Sequence, residues 1–369
     1  MNVLTSPTQQ PPSTQQTQQT QQTQQPQQPQ QAPSSPIKVY RLSRRSAMAD
    51  RASNGWLLKW KQNNTWIKTP GFIIEWTGES YAEILASEVC KDFNIKNALE
   101  YRPCIAITED EDPNLPKVAI LSCESTNFTR GDELFISMQK YLSMVDPSII
   151  NEIDQGSVAS GQEPQVPADG GYGLQGLQGT KAAYEHYLER LKDLTGLNLR
   201  THTEDMIFLD FLICNYDRNL WNLGIITDPN GGYREAPIFD NGNSLGLCRF
   251  EEGEFYRESL HTDGQIAHPF CYRFDQQLDL IRSGKVYTPQ GHPGPGASGG
   301  LGPGVPGSLG TLGSLGLYHT QKTLDFFKEN CSTESNRLGV VNPIPLGSIV
   351  YIESMIAKNL AYYNERYAR

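Results

Sequence analysis

The chain has 369 residues, with 31 Lys and Arg against 41 Asp and Glu, a formal net charge of −10. That balance argues against a dedicated nucleic-acid binder, which carries a basic excess, but not against a substrate that brings its own phosphates. Hydrophobic residues are 37% of the chain, and the shortfall is concentrated in a few segments. Residues 1–36 hold 14 Gln, many Pro, Ser and Thr, and no charged side chain. Such a tail cannot bury enough apolar surface to offset the entropy of ordering it, so disorder is expected to about Pro36. From Ile37 to about Leu142 the text is strand-like with one or two helices. Gly55–Trp60 and Thr65–Lys68 flank the turn signal Gln62-Asn63-Asn64 and predict a hairpin. Between Glu79 and Phe93 the period changes: Tyr81, Ile84, Leu85, Glu88 and Val89 follow helical spacing. Cys104–Ile107 and Val118–Leu121 read as two further strands, and Glu133–Met144 as another helix.

Residues 156–179 read as a linker or inserted loop, Lys181–Leu194 as a helix, and Thr203–Asn215 as a helix apolar on nearly all sides in its latter half and therefore buried. Residues 291–317 hold 11 Gly among 27 and are expected to be a flexible insertion. The chain ends in an amphipathic helix, Gly347–Arg369, with Ile349, Ile352, Ile356, Leu360 and Tyr363 along one stripe. The 7 Cys show no C-x-x-C pair, which fits core or free thiols in a reducing compartment. No secretory signal is visible, and the most apolar run, Met206–Cys214, is short and broken by Asp210, so it cannot span a bilayer. A cytoplasmic protein with no membrane segment is expected.

The chemistry concentrates between Asp210 and Gly246. Asp217 and Asn222 follow a buried helix at a spacing of five, a strand-like pair, Leu223–Thr227 and Ala236–Phe239, surrounds the turn Asp228–Gly232, and Asp240 then precedes Asn241-Gly242. Phosphoryl transfer needs a carboxylate to orient the attacking hydroxyl, an amide or carboxylate oxygen on a metal, and a second carboxylate bridging that metal to nucleotide phosphates. Mg²⁺ prefers oxygen ligands, which Asn and Asp supply. A lone D-x-x-x-x-N is common by chance. The same pattern after a buried helix and before a strand ending in Asp-Asn-Gly is much more specific.

Asp217-Arg218-Asn219-Leu220-Trp221-Asn222-Leu223-Gly224 followed by Ala236-Pro237-Ile238-Phe239-Asp240-Asn241-Gly242 resembles the HipA-like branch of the protein-kinase-like fold. Members read Asp-Arg-His-x-x-Asn-x-Gly, then Ala-Pro-x-x-Asp-x-Gly. The resemblance spans roughly residues 50–285. It implies an α+β, two-lobed fold: a β-rich N-lobe over residues 37–145, a linker at 146–180, and a mainly helical C-lobe over 181–369. It implies Asp217 as catalytic base, Asn222 and Asp240 as metal ligands, and Lys68 on the Trp66-Ile67-Lys68 strand as the phosphate contact. Either Glu83 or Glu79, four residues apart on one helix face, would pair with Lys68. Lys59 and Lys61 are rivals to Lys68, and Arg218 reads equally as a structural ion-pair partner or a substrate contact. The family His is replaced by Asn219.

The implied reaction is transfer of the ATP γ-phosphoryl group, with Mg²⁺, to Ser or Thr of a protein. A DNA-binding antitoxin-like partner comes with the family; direct contact with nucleic acid does not. A pseudokinase that binds without phosphotransfer, and a kinase of a small molecule, are the alternative readings.

Overall fold

The computed structural model describes residues 37–43, 57–70, 78–108, 117–154, 174–247, 266–267, 269–270, 272–290 and 311–367. The expected tail at 1–36, most of the Gly-rich run and the Gly55-Trp56 start of the hairpin lie outside them. The fold is α+β, with a β-rich N-terminal lobe and a mainly helical C-terminal one, as the sequence implies.

The first lobe is built on a five-stranded sheet in the order β1-β4-β5-β3-β2. Its strands are β1 (Lys38–Leu42), β2 (Leu58–Gln62), β3 (Thr65–Thr69), β4 (Tyr101–Thr108) and β5 (Ala119–Thr126). β2 and β3 form the expected hairpin, with Asn63 at φ 53° in the turn, a left-handed conformation that Asn tolerates better than most residues. The helix foreseen at Glu79 is α1 (Glu79–Asp92). It carries Glu79 and Glu83 and packs against β4 and β5, with Leu85 and Val89 among its buried residues.

Glu133–Met144 is not one helix. Leu134–Ser137 is a strand, β6, and only Met138–Val145 is helical, as α2. The cause is a partner remote in sequence: β6 pairs antiparallel with β7 (Gly224–Thr227), which pairs with β8 (Tyr233–Glu235). Gly224 makes the pairing close, because a Cβ there would overlap the Phe135 ring and stand 2.5 Å from the Ile136 carbonyl oxygen. β8 lies just ahead of the strand expected at Ala236–Phe239; Ile238 forms only a single bridge, to Ala98.

The region expected as a linker holds α3 (Pro147–Asp154) and the start of α4 (Leu174–Thr195). α5 (Arg200–Ile213) is the buried helix, and α6 (Phe274–Leu278) follows the short strands β9 (Ile266–Ala267) and β10 (Tyr272–Arg273). α7 (Tyr318–Asn330) was not foreseen from periodicity. It docks on α1: the Asp92 carboxylate accepts hydrogen bonds from the His319 and Thr320 backbone N–H groups at 2.8 and 2.9 Å. Tyr81 and Phe327 meet edge to face at 4.8 Å. α1 is thus fixed from both ends, which holds its two glutamates in place.

The last part of the Gly-rich run departs from expectation. Residues 312–315 form a 3₁₀ turn, and Leu312 and Leu317 are fully buried. Burial of a leucine contributes about 1.5–3 kcal/mol, so this end is part of the core rather than spacer. The final helix, α8 (Leu346–Tyr367), buries the expected stripe of Ile349, Ile352, Ile356, Leu360 and Tyr363.

Candidate active site

α5 ends at Cys214 in a left-handed conformation (φ 51°, ψ 51°), and the Cys214 N–H donates back to the Asp210 carbonyl. This sharp stop turns the chain into the loop 215–223. Asn215 steadies the turn: its Nδ2 donates to Asp210 Oδ1 at 3.1 Å and its Oδ1 accepts the Asp217 N–H at 3.2 Å. Asn219 then caps the 3₁₀ turn Leu220–Asn222, its Oδ1 accepting the Trp221 N–H at 2.9 Å.

The Asp217 carboxylate is held by two amides. Asn219 Nδ2 donates to Oδ1 at 2.9 Å and Asn243 Nδ2 to Oδ2 at 3.0 Å. Asn219 thus braces the loop through both ends of its amide. Asn222 Nδ2 donates to the Asp217 carbonyl at 2.8 Å, which fixes the amide and leaves its Oδ1 as the oxygen available to a metal.

Arg218 proves to be structural. Its side chain is fully buried, with Nε and Nη2 each 3.0 Å from the Asp210 carboxylate. The same guanidinium donates to the carbonyls of Asn222 and Phe239 and to Asn241 Oδ1. Because one Nη1 serves both carbonyls, the loop carrying Asn222 and the segment leading to Asp240 lie side by side. Burial alone would lower the Arg218 pKa; the charge and hydrogen bonds of Asp210 reverse this and keep it raised. The sequence signal for Asp210 was present, a carboxylate interrupting an apolar helix, but its partner was not identifiable there.

Lys68 sits on β3 between β2 and β5, opposite Lys59 and Cys123. Its ammonium lies 2.5 Å from Glu83 Oε1 and 2.9 Å from Asp240 Oδ1, over the Tyr101 ring at 4.9 Å. Burial would depress the Lys68 pKa, but Asp240 and Glu83 hold it well above the usual lysine value. Of the two glutamates weighed from the sequence, Glu83 takes the ion pair. Its other oxygen accepts the Asn241 N–H at 2.9 Å, so it joins β3 to the Asp240 loop.

Asp240 itself has φ 61°, a conformation uncommon for a residue with a side chain. Burial would raise its pKa, but Lys68 and then Lys59 bring it down to about 2. Glu79 is 5% exposed and takes no hydrogen bond or ion pair among the described residues. Burial, followed by the Asp240 and Glu83 charges, pushes its pKa up to about 7. The structure thus gathers Lys68, Glu83, Glu79 and Asp240 into one cluster, with Asp217 and Asn222 on the adjoining loop. Lys61, the other rival to Lys68, lies instead over the Trp66 ring at 5.4 Å.

Among the described residues, no three His, Cys, Asp or Glu side chains converge as a ready-made metal cage. That suits Mg²⁺, which is held by one or two carboxylates plus substrate phosphates rather than by a closed protein shell. The donor set fits: Asn222 has its amide oxygen available, and Asp240 commits one oxygen to Lys68 while retaining the second. No cysteine takes part; the five described cysteines are free and buried. Among the described residues no helix is long and apolar enough to cross a membrane.

No known family model matches the sequence, and no curated protein matches it. Among solved structures, the chain is similar to the crystal structure of a Helicobacter pylori proinflammatory kinase, CtkA, at 15% identity and a TM-score of 0.34. The match covers 58% of this chain and 64% of that one, just under two thirds of its length.

Proposed function

We propose that the chain is an ATP-dependent phosphotransferase of the HipA-like type, acting on a Ser or Thr hydroxyl of a protein. The observation that carries this is the Lys68–Glu83 ion pair reaching Asp240, with the separately braced Asp217 on the neighbouring loop. Phosphoryl transfer asks for little covalent work from the protein; it asks for positioning and for charge where charge develops. Lys68, oriented by Glu83, would leave Asp240 to contact the ATP phosphates. Asn222 and Asp240 would hold Mg²⁺, whose charge offsets that on the phosphates. Asp217, with no cation on its carboxylate among the described residues, is suited to orient the acceptor hydroxyl and take its proton. The hydroxyl oxygen forms the new bond to the γ-phosphorus as the bond to the β,γ-bridging oxygen breaks and ADP leaves.

Asn219 in place of the family His is the ground for the rival reading, a silent binding module. Its hydrogen bond to Asp217 weighs against that reading, because it does the bracing that a silenced position would lose. A DNA-binding antitoxin-like partner belongs to the same proposal, and nucleic acid would be met only through it.

Incubation with γ-labelled ATP, Mg²⁺ and a mixture of Ser- and Thr-containing peptides tests the reading. Asp217→Asn keeps the shape but removes the proton acceptor. Label transfer should fall by roughly 10²–10⁴-fold while ATP still binds. Equal, non-zero transfer in wild type and Asp217→Asn would refute the assignment.

A further inference from the structure

Glu83 satisfies Lys68, so the second glutamate on that helix face is left without the role weighed for it. Glu79 is 5% exposed and has no hydrogen-bond or ion-pair partner among the described residues. The like charges of Asp240, Glu83 and Asp217 act against its carboxylate, with Lys68 as the opposing one. Lys68 is already shared between Glu83 and Asp240, and Arg218 is taken by Asp210. Gly242 packs against it so closely that a Cβ there would stand 3.2 Å from Glu79 Cβ, which presses the side chain against the Asp240 loop.

An acid in the first turn of a helix is ordinary when solvated, because the helix dipole favours it at the surface. It is costly when buried beside other acids with nothing to accept from. A core of natural residues would resolve that cost by a Gln, or by a hydrogen-bond donor. Here it persists where a phosphate-bound cation would come.

Resting on the phosphotransferase reading, we propose that Glu79 is a third protein oxygen ligand for the divalent cation, beside Asn222 and Asp240. The cation class is a hard divalent ion, Mg²⁺ or Mn²⁺, that accepts carboxylate and amide oxygens. Nucleotide brings it in, which accounts for the absence of a closed cage among the described residues. In the cation's absence Glu79 is a net destabilising group, held for function.

The test is Mn²⁺ binding, read by electron paramagnetic resonance, to the full chain saturated with a non-hydrolysable ATP analogue. Glu79→Gln should weaken Mn²⁺ at least tenfold, as should Asp240→Asn. Without metal or nucleotide, Glu79→Gln should raise the melting temperature above wild type. Glu79→Asp, which keeps the charge but withdraws it by one methylene, should also weaken Mn²⁺ and guards against a folding failure of the Gln variant. Mn²⁺ affinity equal to wild type in either folded variant overturns the inference alone. Wild type that binds neither the analogue nor Mn²⁺ with it overturns the phosphotransferase reading as well.

Discussion

Arg218 and Lys68 are both buried cations, each facing carboxylates, and each joins distant parts of the chain. They differ in how completely their surroundings are satisfied. Around Arg218 the partners are all accounted for: Asp210 takes two of its nitrogens, and Asn222, Phe239 and Asn241 supply neutral acceptors. Around Lys68 the count does not close: Glu83 and Asp240 share one ammonium, and Glu79 beside them has no partner among the described residues. A closed cluster specifies structure; an open one leaves buried charge uncompensated, which is where functional sites concentrate.

The largest effect should come from breaking the closed cluster. Arg218→Met leaves Asp210 buried without its cation, and such losses cost about 3–5 kcal/mol. Urea unfolding should show that loss, and should show markedly less for Lys68→Met, where Glu83 keeps the Asn241 N–H. Equal losses at the two positions would break the distinction.

His202 sharpens it from a third place. Burial lowers its pKa from 6.5 to about 4, against the pull of Asp205. Since the folded value lies below the unfolded one, stability is fully present above pH 6.5 and is lost progressively as pH falls toward about 4. The loss should be on the order of 1–3 kcal/mol. Replacing His202 with Gln should flatten the stability profile across that window; an unchanged slope would show that other groups set it.

The smallest effect belongs to Asn219. Asn219→Ala removes the cap on the 3₁₀ turn and one of the two amides on Asp217, costing about 1 kcal/mol of stability. Asn219→His should retain phosphotransfer. Activity appearing only in the His variant would favour the silent-module reading.

The parts of this molecule legible in its sequence are those governed by neighbours along the chain. The hairpin at Asn63-Asn64, α1 and the stripe of α8 each follow from local period and turn chemistry. So does the order of Asp217, Asn222 and Asp240, because motif spacing is itself local. What was not legible depends on partners far away. Leu134–Ser137 became a strand because Gly224–Thr227 lies alongside it. α7 was not foreseen although Leu324 and Phe327 are buried along it; its dock onto Asp92 and Tyr81 depends on residues over two hundred positions away. The choice between Glu79 and Glu83 could not be made by spacing, since both share a helix face; the sheet position of Lys68 decides it. Arg218 needed Asp210, eight residues back across a helix end, before its role could be read.

The left-handed backbone at Asp240 has a consequence for inheritance. Phe239 and Asn241 on either side are pinned by Arg218 and Glu83, so the φ of 61° cannot relax when the side chain changes. β-branched and bulky replacements there are strained whatever their chemistry, whereas Gly and Asn sit comfortably. The changes most easily carried by descendants are therefore those that remove the carboxylate and spare the fold. On the phosphotransferase reading proposed above, a lineage could lapse from catalyst to scaffold at this position by a single base change to Asn, with the architecture left standing.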